Sequence, residues 1–128
     1  MNNLFSAFDT GCITTLASNT SAETLDWNQH PAFSGVSLKH LITAKDTDGK
    51  FSAHLVRLEP KAQIGDHVHE TQWELHEVAE GSGHLMLNGR RISYEPGVAA
   101  ILPENTPHMV QAGEDGLEIL AKFIPALL

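Results

Sequence analysis

From Phe33 onward the chain alternates short apolar or in-out runs with clusters of Gly, Pro, Asn and Asp. That texture predicts many short strands separated by turns, as in a sandwich or a barrel. Strands are expected over residues 36–44 and 51–59, joined by the turn DTDGK at 46–50. A short strand through His67 and His69 follows, then strands at 74–80 and 84–87, with Gly81-Ser82-Gly83 read as the hairpin turn between them. Asn88-Gly89 is the strongest two-residue hairpin signal available and leads into a strand at 91–94. Glu95-Pro96-Gly97 turns into 98–102, and after PENTP come strands at 108–111 and 117–124. No segment shows sustained helical periodicity with caps. About ten short strands in a chain of this length predict one all-β domain, with two facing sheets or a closed barrel. Residues 1–30 differ, being rich in Asn, Ser and Thr with apolar clusters at 4–8 and 12–17. They predict an N-terminal arm, partly irregular with one edge strand at most, that packs across the domain or a partner. Trp27 and Pro31 are expected to anchor its end, leaving residues 31–128 as the barrel.

Composition narrows the function classes. The net charge is −8, from 8 Lys+Arg against 16 Asp+Glu, with no basic run. That excludes the basic patch on which nucleic-acid or anionic-membrane binding depends. A single cysteine, Cys12, cannot form an intrachain disulfide, which favours a reducing compartment. The start, MNNLFSAFDTGC, has no basic segment followed by a long apolar run, so no signal peptide is read. No apolar stretch approaches membrane-spanning length, and a cytoplasmic location is expected.

The chemistry concentrates in GDHVHETQWELHEVAEG, residues 65–81. On an extended strand His67 and His69, two residues apart, point to one face. Imidazole and carboxylate ligate Zn, Fe, Mn, Ni or Cu, and three or four must converge to hold such an ion. The expected site joins His67, His69 and Glu74 to His108, from ILPENTPHMV. His76 shares a strand face with Glu74. It is read as the candidate catalytic group, a general base near neutral pH, or as hydrogen-bonding support for a ligand, or as a packed lumen histidine. His54 shares a face with Val56 and Leu58 and is a candidate for the pocket wall, whereas His30, His40 and His84 are expected at the periphery. Trp73, Phe51, Phe123 and Met86 are expected in the walls and core. Neither a GxSxG serine elbow nor a phosphate-binding glycine loop is present.

Two motifs now resemble a known family, the cupins. The first cupin motif, G-x5-H-x-H-x(3,4)-E-x6-G, is matched by His67, His69, Glu74 and Gly81. The second, G-x5-P-x-G-x2-H-x3-N, is matched by Gly97, Pro103 and His108. Three positions depart: Lys61 stands where the first motif opens with glycine, Asn105 replaces the second motif's central glycine, and Ala112 replaces its closing asparagine. Asn tolerates left-handed backbone better than other non-glycine residues, so its swap is mild. Gly65 is expected to relax the turn near Lys61. The resemblance implies a jelly-roll β-barrel with a divalent transition metal (Fe, Mn, Ni or Zn) held in its lumen by three histidines and a glutamate. It also implies a small-molecule substrate or ligand, and a homodimer formed through one sheet and an N-terminal strand. Two functions stay open: a metal-dependent enzyme (dioxygenase, isomerase, lyase or decarboxylase) acting on an oxygen-bearing acid, enol or sugar-like molecule, or a non-catalytic binding or sensing module.

Overall fold

The computed structural model describes residues 3–128 and contains ten strands. They are β1 (Cys12–Thr14), β2 (Asn19–Ser21), β3 (Asn28–Gln29), β4 (Val36–Ile42), β5 (Ser52–Leu58), β6 (Gln63–His67), β7 (Trp73–Leu87), β8 (Arg90–Tyr94), β9 (Ala99–Leu102) and β10 (His108–Ile124). Two short helices, α1 (Leu4–Asp9) and α2 (Ala44–Thr47), complete it, together with a 3-10 turn at Ala22–Thr24.

The barrel is made by two strands that each serve two sheets. The N-terminal half of β7 pairs with β9 and with the C-terminal half of β10, which in turn pairs with β5. The C-terminal half of β7 pairs with β8 and with the N-terminal half of β10, which also takes β6 as a neighbour. One sheet therefore runs β3-β4-β5-β10-β7-β9 and the other β6-β10-β7-β8, facing each other as a jelly roll. The ladder between β7 and β10 slips between Ala112 and Leu117, where both strands turn from one sheet into the other. Between the sheets lies a core that includes Val36, Val56, Leu58, Leu85, Leu102, Val110, Leu117 and Ile119.

Several sequence expectations are corrected here. No hairpin forms at Gly81-Ser82-Gly83; β7 bends there but continues unbroken, and the glycines serve close backbone approach. A Cβ on Gly81 would sit 2.2 Å from the Gly116 carbonyl oxygen, and one on Gly83 would sit 2.1 Å from that of Gln111. Likewise the two strands expected at 108–111 and 117–124 are one strand, β10. The turn at 46–50 begins within α2, whose start is fixed by a reciprocal Thr43–Asp46 capping box. Gly65 lies inside β6, not in a turn, against the ring of Phe33. Trp73 and Phe51 are exposed on the outside of the barrel, whereas Phe123 is buried. Asn88 and Gly89, at φ 49° and 83°, do form the predicted hairpin between β7 and β8. Both glycine-replacing residues, Lys61 and Asn105, adopt positive φ of 65° and 57°.

The arm folds onto its own barrel, and more regularly than its composition suggests. Its first turns form α1, capped by the Asn3 side chain, and β1 and β2 form a hairpin. Phe5 is fully buried and stacks with Trp27, whose indole N–H donates to Asp9. Lys39 is buried beneath the arm, where its ammonium pairs with Asp9 and donates to the carbonyls of Asp9 and Ala22. Nothing in the sequence marks Lys39 as a core residue; only the arm's return over β4 buries it.

Candidate metal centre

Strand register decides which side chains enter the lumen, because directly opposed residues on neighbouring strands share a face. One rung crosses the first sheet as His40–His54–Ala121–His76–Ala100. The next rung, one step toward the barrel mouth, reads Ser52–Phe123–Glu74–Leu102. On the facing sheet His67, His108 and Leu87 form a rung at the same end. His69 lies just past β6, in a loop held by the Asn105 N–H donating to the His69 carbonyl at 2.9 Å. The left-handed Asn105 thus ties the two histidine-bearing segments together.

One nitrogen each from His67, His69 and His108 lies within 4.8 Å of the others, so this cluster could hold a metal ion. Glu74 approaches two of the three from the opposite sheet, its Oε1 being 3.5 Å from His69 Nε2 and 3.6 Å from His108 Nε2. Donors roughly 2.1 Å from a shared ion at tetrahedral angles would be about 3.4 Å apart. The separations of Glu74 Oε1 from His69 and from His108 fit that requirement. Orientation fits as well. His67 Nδ1 lies 2.8 Å from the Gly65 carbonyl, and His108 Nδ1 lies 3.0 Å from that of Thr106. A carbonyl only accepts, so each Nδ1 must carry the proton and leave Nε2 with its lone pair. Glu74 Oε1 and His108 Nε2 are buried without a hydrogen-bond partner. Each such atom costs about 1–3 kcal/mol if it stays unsatisfied, and a cation between them would satisfy both.

Protonation states suit ligation. Burial lowers the pKa of His108 to about 4, the Thr106 carbonyl and Glu74 opposing the shift and His67 and His76 adding to it. Burial also lowers that of His69, against the pull of Glu74. Both imidazoles are therefore neutral near pH 7, the form that binds metal. For Glu74 burial acts upward, but His76, His69 and His108 outweigh it and hold the carboxyl below its ordinary range.

His76 lies behind Glu74. Its Nε2 is 2.6 Å from Glu74 Oε2, and its Nδ1 is 2.8 Å from the hydroxyl of Tyr94, which reaches across from the second sheet. Tyr94 is fully buried, and with Glu74 beside it burial raises the phenol pKa. Sequence reasoning missed Tyr94; its place on the inner face of β8, two residues from Ile92, was the available signal. His54 is buried on the lumen side, its Nδ1 2.8 Å from His40 Nδ1 and its Nε2 2.8 Å from Ser52 Oγ. It meets the site through the ring of Phe123, which stands edge-on to both His54 and His69. His40 is thus no peripheral residue. His30, half-buried, packs on Phe33, itself beside His67. A cleft of about 600 Å³ beside Gly81 and Gly116 lies at the opposite end of the barrel and holds none of these side chains.

Residues 54–121 match the Cupin domain family (Cupin_2). No curated protein matches the sequence. Among solved structures, KdgF from a Halomonas species is 24% identical, with a TM-score of 0.68, over 78% of this chain and 86% of that one. A predicted oxalate decarboxylase from Thermotoga maritima is 22% identical, with a TM-score of 0.74, over 80% of this chain and 95% of that one. The polyketide cyclase RemF from Streptomyces resistomycificus is 21% identical, with a TM-score of 0.69, over 83% and 82%. At these identities the likeness shows a shared fold.

Proposed function

The chain belongs to the cupin family, and from that premise we propose that it is a metal-dependent enzyme acting on a small oxygen-bearing organic molecule. The observation that carries this reading is the pair of orphaned buried atoms, Glu74 Oε1 and His108 Nε2, 3.6 Å apart at the end of the barrel. His67, His69, His108 and Glu74 would hold a divalent transition ion there. Such an ion supplies Lewis acidity toward an oxygen-bearing ligand, and for a redox metal the capacity to activate O₂.

The chain's own residues do the rest. With His69 and His108 neutral and Glu74 a carboxylate, the site is suited to a cation and to an acid or enol beside it. Phe123 and Phe33 flank the histidines with apolar surface, which limits water and strengthens each electrostatic contact. Glu74 is the charged group nearest the cluster and is backed by His76, so the catalytic role expected of His76 is exercised through Glu74. The names of fold neighbours, a predicted oxalate decarboxylase and a polyketide cyclase, agree with small oxygen-rich substrates.

The test loads purified protein with Fe(II), Mn(II), Ni(II) or Zn(II) and screens turnover and O₂ uptake over small acids, diketones and uronates. Turnover with one metal and its loss in His108→Ala is the expected result. Silence throughout, with a small acid still raising the melting temperature of the loaded protein, would instead assign a binding module.

A further inference from the structure

Behind the cluster lies a buried chain of three side chains: Tyr94 Oη, His76 and Glu74, linked at 2.8 Å and 2.6 Å. All three are closed off from solvent, with relative exposures of 0%, 4% and 7%. Its direction follows from proton accounting. The Tyr94 hydroxyl has one proton to donate, and His76 Nδ1 is its hydrogen-bond partner among the described residues. A buried hydroxyl that fails to donate wastes a hydrogen bond, so Nδ1 must accept. The imidazole's own proton then lies on Nε2, where it donates to Glu74 Oε2. That bond occupies one carboxylate oxygen and leaves the other, Oε1, aimed at His69 and His108.

We propose that Tyr94 is a positioning residue that fixes the tautomer of His76 and thereby aims Glu74 Oε1 at the histidine cluster. The claim rests on the metal reading above. It gives β8 a part in the site, since Tyr94 reaches His76 across the lumen from that strand.

The experiment uses the full chain with 15N-labelled histidine, its His76 signals identified by their loss in His76→Asn. In the metal-free wild type, His76 should show a protonated Nε2 and an unprotonated, hydrogen-bonded Nδ1. Tyr94→Phe keeps the ring and removes only the hydroxyl; it should abolish that Nδ1 signature. Titration with Co(II), followed by its visible spectrum, should show affinity weakened roughly 10–100-fold in Tyr94→Phe. Adding Tyr94→Phe to His76→Asn should weaken Co(II) binding no further. Melting of each metal-free variant separates lost aim from lost packing: a drop in affinity with an unchanged melt supports positioning. A wild-type His76 protonated on Nδ1 overturns the proposal, and so does Tyr94→Phe protein that binds Co(II) as tightly as wild type. Wild-type protein with the expected tautomer that binds no Co(II) would sink the metal reading instead, and with it the aim assigned to Tyr94.

Discussion

His69, in the loop after β6, meets Glu74 at 3.5 Å, with no partner for the Glu74 Oε1 that faces the histidines. An ion binding there should stabilise the folded state by mass action, by about 2.7 kcal/mol at a hundredfold excess over its dissociation constant. Chelator should therefore lower the melting temperature of metal-loaded protein, and His69→Ala should lose most of that response; an unchanged melt of protein shown beforehand to contain metal would refute this. His54 makes a second prediction. Burial lowers its pKa to about 4 from an ordinary 6.5, with the charge of His40 adding to the shift and Glu74 opposing it. Folded His54 thus stays neutral while the unfolded chain takes up a proton, so stability is full above pH 6.5 and falls as the pH drops toward 4. The loss amounts to roughly 3 kcal/mol at most. Urea melts from pH 7 to pH 4 should show a shallower decline for His54→Gln than for wild type.

At the scale of elements, the barrel depends on the places where β7 and β10 cross from one sheet to the other. Gly81 has φ +88° and a Cβ there would strike backbone at 2.2 Å, so neither side chain nor rotamer change can relieve the clash. Gly81→Ala should cost on the order of 3 kcal/mol or more. Gly89, in the hairpin, has φ +83° with nothing within 4 Å. Its alanine variant should cost only the backbone strain, about 1 kcal/mol. Denaturant titrations of both variants check the contrast, and equal losses would contradict it. The same comparison shows why the hairpin was legible and the strand continuity was not. Asn88-Gly89 sits in open space and turns the chain by its own dihedral preference. Gly81 and Gly83 carry the same local signal, yet the backbone of β10 packed against them makes them a bend in an unbroken strand.

At the scale of the molecule, the arm is pinned to the sheet through a buried ammonium. Removing Asp9 leaves Lys39 with carbonyls but no counter-charge, whereas replacing Lys39 by an apolar residue of similar length removes the need for one. Asp9→Ala is expected to cost about 3 kcal/mol and Lys39→Met much less. Hydrogen exchange should accelerate through residues 4–24 in Asp9→Ala before the barrel strands respond. Uniform exchange across the chain would show that arm and barrel unfold as one unit.

Spacing along the chain by itself determined the strand-rich class, the Asn88-Gly89 hairpin and the inward pairing of Glu74 with His76. Those are consequences of the two-residue period of a strand and of local dihedral preference, and they need no distant partner. Tertiary structure alone decided that His108 and Glu74 approach from opposite sheets. It also decided that His40 and His54 share a lumen rung, that Tyr94 backs His76 and that Lys39 is buried. Each of these depends on which strand lies beside or across from which. Register and sheet facing are set by the packing of the whole core rather than by any one segment.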